Sequence, residues 1–431
     1  MSHEEQANAM SQGQCTATII GRWDHALRYA TDFAAANFQV RLFDAHHDFN
    51  VKSPVPNGID EFLARHVQAG RIRVSHDLLD SMENSSAIIL CFSFLEGPGV
   101  GDFKDGVLAE VARSLPEHCL VVNSSFCHPG YTETELTRIL ERHSGLKAYR
   151  DFGVAYACLE SDPFLSQAYS VVGSHDPESL RAALGLLSCI FDGRILAVPN
   201  TKFAEAVVFS RLARAYVNSA LSHELYRFAE ENGFDFEEVK RYAGWEAYDS
   251  SRPLLLGSDQ LGDLKSPRFG RRLSLIESAS RVSEEVPKRL VAQLGKSLRS
   301  AGRAFRGSHV SVLGLATGTR PPKVNRIVEE ALRTMKRKGA DLKAYDPLLK
   351  VEEIERLGVQ AVSSRRTLLE GAHVLVIGAS RAIVGAVNPE EVASYLRPPG
   401  IIADWWRVTD AEEVAKFGMI YTGPGRGMAL V

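Results

Sequence analysis

The residues of this sequence that could do chemistry fall into a few groups. The turn Gly21-Arg22-Trp23-Asp24-His25-Ala26 follows the apolar run CTATIIG, and Asp44 closes the next such run, FQVRLFD. A strand that runs into a glycine turn and opens a helix brings backbone N–H groups and the positive helix end to a pyrophosphate. An acid about 20 residues on then holds a ribose. Strand, helix and acid are all in order here, but only Gly21 matches fully, with Ala26 a tolerable third position. Trp23 stands where the backbone should touch phosphate, and Asp24 adds like charge. Two readings stay open: a phosphate site closed by these side chains, which we favour, and a working dinucleotide site in which Gly21 and Asp44 bind. Ser124 and Ser125 follow the apolar run LVVN. At the C-terminal end of a parallel strand such hydroxyls face a ligand crevice or cap the turn. Lys265, Arg268, Arg271 and Arg272 form a basic cluster in SSRPLLLGSDQLGDLKSPRFGRR, where they would bind an anion or stay solvated. His223 lies beside Glu224 in a long helical run, and its imidazole can exchange a proton near neutral pH. The same residue would serve equally as an exposed or interface histidine.

These groups need elements to position them. CTATIIG is rich in β-branched residues and reads as a strand, followed by a helix with Ala26, Tyr29, Ala30, Phe33 and Ala34 on one face. FQVRLFD, SSAIILCFSF and HCLVVNSSF read as further strands, with the helical stretch DGVLAEVARSL between the last two. That alternation predicts a parallel sheet covered on both faces. From Thr201 to Glu231 the periodicity is helical, and FDFEEVKRYAGW and LIESASRVSEEVPKRLVAQLGKSL extend a mostly helical middle region. Strands then return in HVSVLGLA, ADLKAYDP, AHVLVIGAS and GIIADWW, with the amphipathic helix VNRIVEEALRTMKRKG among them. The two ends read as distant versions of one doubly wound unit.

Composition narrows the classes. Fifty basic against 53 acidic side chains leave a net charge of −3, which gives no global attraction to nucleic acid. A 45% hydrophobic and 24% charged chain is ordinary for a globular protein and excludes a disordered or fibrous one. No apolar run approaches the ~20 residues needed to cross a bilayer. The opening MSHEEQANAMSQGQ is acidic and polar, unlike a secretory signal. The six cysteines, Cys15, Cys91, Cys119, Cys127, Cys158 and Cys189, form no CxxC pair, and several sit in apolar runs. Buried free thiols in a reducing, cytoplasmic setting are expected. His46 and His47 are adjacent in a polar loop without a visible third ligand, so no metal is expected.

The order of these segments resembles the UDP-glucose/GDP-mannose dehydrogenase family from about Cys15 to Asp404. The resemblance is carried by NGIDEFLARHVQAGRIRVSHDLLDSMENSSAIILCFS, SGLKAYRDFGVAYA, AEAVVFSRLARAYVNSALSHELYRFAEENGFDFEEV and SVLGLATGTRPPKVNRIVEEALRTMKRKGADLKAYDP. It implies an N-terminal NAD domain, a long central helix through which two copies pair, and a C-terminal UDP-sugar domain. It also implies oxidation of an alcohol twice, to an acid, through a Cys thiohemiacetal in a G-G-x-C loop after the central helix. A Lys and an Asn on that helix stabilise oxyanions and place water. The sequence departs from this pattern. No cysteine follows Cys189. With Ala204-Glu205 set on the family's Ala-Glu pair, Val208 takes the Lys slot and Leu212 the Asn slot. The Pro-Glu after the domain crossing becomes Cys158-Leu159, the substrate-binding Lys becomes Gly318, and the Arg of Asp-x-x-Arg-Glu-Ser becomes Asn325. The last strand's Asp-x-Arg reads Asp404-Trp405-Trp406, with Arg407 displaced by one. Arg252 falls where the family's Arg-Ile-Gly segment reaches a neighbouring subunit's substrate.

The expected fold class is therefore α/β, with two doubly wound Rossmann-like domains joined by a long central helix. The expected boundaries are a flexible tail over 1–14, an NAD-type domain over 15–200, a helical dimerisation region over 201–305 and a UDP-sugar-type domain over 306–431. The expected function is that of a nucleotide-sugar-dehydrogenase-like protein without the machinery for oxidation to a uronic acid, still binding a small nucleotide-type or anionic ligand. Arg252, Arg268, Arg271 and Arg272 would hold that ligand; Trp405 and Trp406 would stack on a ring. One alternative is a pseudoenzyme acting as a scaffold or regulatory partner. Another is an oxidoreductase acting on CH–OH groups in a single hydride step. It would bind NAD or NADP through Gly21, Asp44, Ser124 and Ser125, with His223 as the base. A homodimer that engages neither nucleic acid nor membrane is expected in each case.

Overall fold

A computed structural model describes residues 15–21, 23–43, 61–92, 100–158, 170–191, 195–243, 274–317 and 324–426. Two compact units emerge, and the boundary between them falls inside the helix Thr201–Asn232, between Arg214 and Ala215.

The first unit is built on strands β1 (Thr16–Gly21), β2 (Gln39–Phe43), β3 (Ile72–Ser75), β4 (Ala87–Cys91), β5 (Leu120–Asn123), β6 (Gly153–Cys158), β7 (Ser170–Gly173) and β8 (Ile195–Val198). They lie in the order β3-β2-β1-β4-β5-β6-β7-β8, and only the β6–β7 pairing is antiparallel. Strands β4 to β7 are buried along their whole length, which is why they read as continuous apolar runs rather than alternating ones. One face packs Tyr29, Phe33 and Phe38 from and just after the helix Trp23–Ala35; the other packs Leu108, Val111, Tyr131 and Phe152. The order of strand addition reverses between β1 and β4, the place where doubly wound folds form a ligand crevice.

The second unit repeats the plan with six parallel strands: β9 (His309–Leu313), β10 (Asp341–Tyr345), β11 (Gln360–Ala361), β12 (Val374–Ile377), β13 (Ile401–Asp404) and β14 (Ile420–Thr422). Their order is β11-β10-β9-β12-β13-β14, with the switch between β9 and β12. Helix Ser274–Ser300 covers one face through Val286, Leu290, Leu294 and Leu298, beside the helix Arg326–Arg337. Asn325 caps the latter by accepting from Ile327 N at 2.9 Å. The architecture is α/β with two Rossmann-like units and a long helix, as the strand–helix alternation predicts. Among the described residues no helix is long and apolar enough to cross a membrane.

Two histidines clamp the N-terminal edge of the second sheet. The rings of His309 and His373 stack with centroids 5.2 Å apart and planes 14° apart. His373 Nδ1 accepts the backbone N–H of His309 at 2.9 Å, and His309 Nδ1 lies 2.7 Å from Asp341 Oδ2. Arg303 closes the edge by donating to the carbonyls of Pro398 and Pro399 at 2.7 and 2.8 Å. Burial and the charges of Arg303, His309 and Arg397 hold His373 below the ordinary histidine range. The unfolded chain therefore binds this proton more readily than the folded one. The resulting stability is present above the unfolded histidine value and is lost as pH falls below it. Lowering the pH from 7 to 5 is expected to remove this hydrogen bond's contribution, at most about 1 kcal/mol. His373→Asn keeps an acceptor that does not titrate and should flatten that part of the profile. Urea midpoints at the two pH values, read by tryptophan fluorescence, check both expectations.

Candidate ligand cleft and the buried carboxylate of the first unit

At the end of β1 the first unit brings backbone against backbone. Gly21 has φ +139°, and a Cβ there would lie 2.2 Å from the carbonyl oxygen of Cys91 in β4. The missing side chain is thus required by strand approach alone. The hydroxyls after β5 are engaged within the protein. Ser124 Oγ sits 2.7 Å from Tyr29 OH and donates to Ala157 O, while Ser125 Oγ donates to Leu90 O at 3.2 Å and accepts from Phe92 N at 2.9 Å. Both serines are buried, so they tie the ends of β4, β5 and β6 together. Asp44, His46 and His47 lie outside the described residues, as do Arg252, Lys265, Arg268, Arg271 and Arg272.

The first turns of the central helix, Thr201–Asn232, carry a carboxylate into the core. Glu205 is 0% exposed. It accepts from Thr132 N at 2.8 Å, from Gly130 N, and from the Cys127 thiol at 3.4 Å. Asn123 Nδ2 braces the same loop by donating to Thr132 Oγ1 at 2.8 Å. Burial pushes the Glu205 carboxyl up despite these donors, and burial beside Glu205 pushes the Cys127 thiol well up. The loop continues into a π-helical turn, Thr132–Leu136, flanked by two histidine–carboxylate contacts: His128 with Glu135 at 2.8 Å and His175 with Glu133 at 3.0 Å. One and two turns beyond Glu205, Val208 is 1% exposed and Leu212 packs against the same hydrophobic cluster as Tyr131 and Phe152.

In the second unit two glycines bring backbone against backbone at the switch point. A Cβ at Gly378 would meet Gly314 O at 2.4 Å, and Gly314 itself adopts φ +83°. Asp346, at the end of β10, directs Oδ2 to the N–H groups of Leu315 and Ala316 at 2.6 and 2.8 Å. A cleft of about 430 Å³ opens farther along the sheet, beyond β13 and β14. Its walls include Tyr226, Trp406, Tyr421, Asp235, Arg407 and Arg426. Asp404, buried at the end of β13, accepts from Thr409 N and Oγ1 at 2.7 and 2.8 Å and from Trp406 N at 3.2 Å; burial pushes its carboxyl up. Trp405, 2% exposed and packed in the core, and Trp406, whose indole N–H donates to Gly378 O at 2.7 Å, both line the cleft.

Arg407 holds φ +50°, a conformation costly for a residue with a side chain. Its Nη2 donates to both oxygens of Asp235, at 2.8 and 2.7 Å. Asp235 also caps the short helix Phe236–Tyr242 through Glu237 N at 2.9 Å. The chain after β14 returns to the same place: Asp235 and Arg426 form an antiparallel bridge, and Phe236 N donates to Gly425 O at 2.9 Å. Gly425 has φ +74°, and a Cβ there would come within 2.0 Å of the Tyr226 ring. Tyr226 OH donates to Glu237 Oε1 at 2.5 Å, and Lys240 reaches the same oxygen at 2.9 Å. The Arg426 guanidinium lies 5.7 Å from the Tyr421 ring centroid. Such a cleft offers flat aromatic walls and guanidinium edges, the groups that hold a ring and a phosphate.

His223 is 1% exposed on the central helix, its carbonyl accepting from Arg289 Nη1 at 2.7 Å, and it does not line the cleft. Among the described residues no group of three or more His, Cys, Asp or Glu side chains could hold a metal ion.

No family model matches the chain. It is 25% identical to the UDP-N-acetyl-D-mannosamine dehydrogenase of Pyrococcus horikoshii over 95% of this chain and 99% of that protein. The solved structure of a UDP-D-ManNAc dehydrogenase from P. horikoshii superposes with a TM-score of 0.74 at 22% identity, covering 96% and 99% of the two chains. A UDP-glucose dehydrogenase from Pyrobaculum islandicum superposes with a TM-score of 0.76 at 20% identity, covering 96% and 98%. The chain's homologues and structural neighbours are UDP-sugar dehydrogenases. The order of segments in the sequence points to that same group.

Sequence reasoning singles out Trp405, Trp406 and Arg407 but not their partner Asp235, nor Tyr226, Tyr421 and Arg426. The run ENGFDFEE does carry the signature of an N-cap at Asp235, an acid before a helix start with glutamates in its first turn. Nothing local marks the same carboxylate as an ion-pair partner 172 residues from Arg407.

Glu205 yields a direct expectation. Glu205→Ala leaves the buried N–H groups of Gly130 and Thr132 without an acceptor, which should lower stability by about 3 kcal/mol. Because its carboxyl is raised, Glu205 contributes most in acid and progressively less as pH rises through its folded value. Glu205→Gln should remove that slope. Urea titrations followed by circular dichroism across the acidic range measure both effects.

Proposed function

We propose that this chain is a nucleotide-sugar-dehydrogenase-like protein that holds a nucleotide-type or anionic ligand in the cleft beyond β13 and β14 and does not oxidise a UDP-sugar to a uronic acid. One observation carries the second half of this reading: the central helix presents aliphatic side chains, Val208 and Leu212, to a hydrophobic cluster at the slots where the resembling family carries its Lys and Asn. An aliphatic group supplies neither charge nor hydrogen bond to a developing oxyanion. The absence of any cysteine after Cys189 supports the same reading, since a thiohemiacetal needs a thiolate.

The first half rests on the cleft. Arg407 Nε and Nη1 make no hydrogen bond among the described residues, and Arg426 makes no ion pair there, so both present donors to a phosphate. Trp406 and Tyr421 give a ring a flat surface. For NAD or NADP in the first unit the fit is poorer. Ser124 and Ser125 are engaged with Ala157 and Leu90, and any side chain at Gly21 would collide with Cys91 O. A single-step reading with His223 as base is not favoured, because that imidazole is buried and does not line the cleft. Leu221 and Phe228 on the central helix are 46% and 54% exposed and recur on one face, which supports pairing of two copies there.

Purified protein mixed with NAD and UDP-glucose, UDP-N-acetylmannosamine or GDP-mannose should produce no NADH absorbance. Calorimetry should show UDP binding that weakens about tenfold, or 1.4 kcal/mol, in Arg407→Gln and in Arg426→Gln, the loss of one charge-assisted contact. Turnover of any of the three sugars would overturn the first half of this expectation, and absence of UDP binding the second.

A further inference from the structure

Resting on the reading of the cleft as a phosphate site, we propose that Glu230, which does not line the cleft, is a positioning residue that sets Arg426 there by holding the turn 423–426. That turn has little side chain of its own to hold it. Gly423 and Gly425 flank Pro424, and a Cβ at either glycine would collide, 2.8 Å from Asp404 O and 2.0 Å from the Tyr226 ring. Residues 423–425 are buried, so their backbone groups need partners inside the protein. Glu230 Oε1 accepts Gly425 N at 2.8 Å, Gln293 Nε2 donates to Gly423 O at 2.9 Å, and Phe236 N donates to Gly425 O at 2.9 Å. Arg426 follows directly, its guanidinium 5.7 Å from the Tyr421 ring centroid. Two side chains outside the cleft, one on the central helix and one on the helix Ser274–Ser300, thus fix the backbone from which that guanidinium extends.

Glu230 sits where a carboxylate is otherwise disfavoured. The last turn of the central helix carries no basic residue, and the negative end of the helix dipole opposes an acid there. Two groups offset this. One is the Gly425 N–H. The other is Arg289, whose Nη1 donates to His223 O at 2.7 Å and whose Nη2, buried and without a hydrogen bond, lies 3.9 Å from Glu230 Oε1. The two contacts differ in kind. The N–H needs only an acceptor, whereas the buried guanidinium needs an opposite charge. The placing of Arg426 and the stability of the unit therefore respond to different substitutions at the same position.

Calorimetric titration of UDP into the full chain and its variants, with thermal unfolding of each, is the test. Glu230→Gln keeps an acceptor for Gly425 and removes the charge facing Arg289. It should lower the melting temperature while UDP affinity stays within about threefold. Glu230→Ala removes the acceptor too and should weaken UDP about tenfold, as Arg426→Gln does. In the double variant Glu230→Ala/Arg426→Gln the loss should stay near tenfold, because both changes remove one contact. Gln293→Ala releases the other end of the turn, should weaken UDP in the same way, and serves if Glu230→Ala does not fold. If UDP affinity falls with stability in Glu230→Gln, if the alanine variants bind UDP as the wild type does, or if the double variant loses about a hundredfold, Glu230 does not act through Arg426, while the cleft remains a phosphate site. If UDP does not bind the wild type, the cleft reading fails and this inference with it.

Discussion

A guanidinium and a carboxylate 172 residues apart hold the second unit's cleft in shape. Arg407 leaves the end of β13 in a left-handed conformation, and only a partner of opposite charge at a fixed distance makes that conformation worth keeping. Asp235 supplies it, and in doing so caps the helix that follows the central one. Gly425 completes the arrangement from the far end of the chain, since any side chain there would collide with Tyr226. Three separate stretches of sequence are thus locked around one cavity by one ion pair, one backbone bridge and one glycine.

Elsewhere buried polar groups at the strand ends face inward. In the first unit Ser124 and Ser125 join strand ends, and in the second Asp346 holds the turn after β9. Buried polar groups must find partners, and once they have found them inside the protein they are not free to bind a ligand. Glu205 illustrates the cost of the alternative. It is a carboxyl in the core that burial pushes up, with two backbone N–H groups and a thiol converging on it in partial compensation. Beyond it the helix turns aliphatic, and the proposed loss of uronic-acid chemistry follows from that face more than from any single missing residue.

Much of the architecture was legible before the structure. CTATIIG became β1, the face of Ala26, Tyr29, Ala30, Phe33 and Ala34 is buried, and HVSVLGLA, ADLKAYDP, AHVLVIGAS and GIIADWW became β9, β10, β12 and β13. In these segments burial is written into residue type. The strands β6, β7, β8 and β14 were not singled out. Length does not set them apart, since β12 and β13 have four residues each; the regular alternation of parallel strands with helices breaks where β6 pairs antiparallel with β7. The π-helical turn at Thr132–Leu136 has no sequence signature, since it depends on how Glu205 gathers the N–H groups of the preceding loop.

By itself, then, the sequence determined the repeated α/β plan, the run of the central helix, the lack of any late thiol and the aliphatic residues after Glu205. All of these are properties of composition and local periodicity. Only tertiary structure decided that Gly21 answers to Cys91, that Ser124 and Asp346 face inward, that Trp405 and Trp406 share one cavity wall, and that Arg407 is paired with Asp235. The reason is the same in each case. Hydrophobic burial is recorded residue by residue along an element, whereas the partner of a polar group is set by which distant segment the fold brings within three ångströms of it.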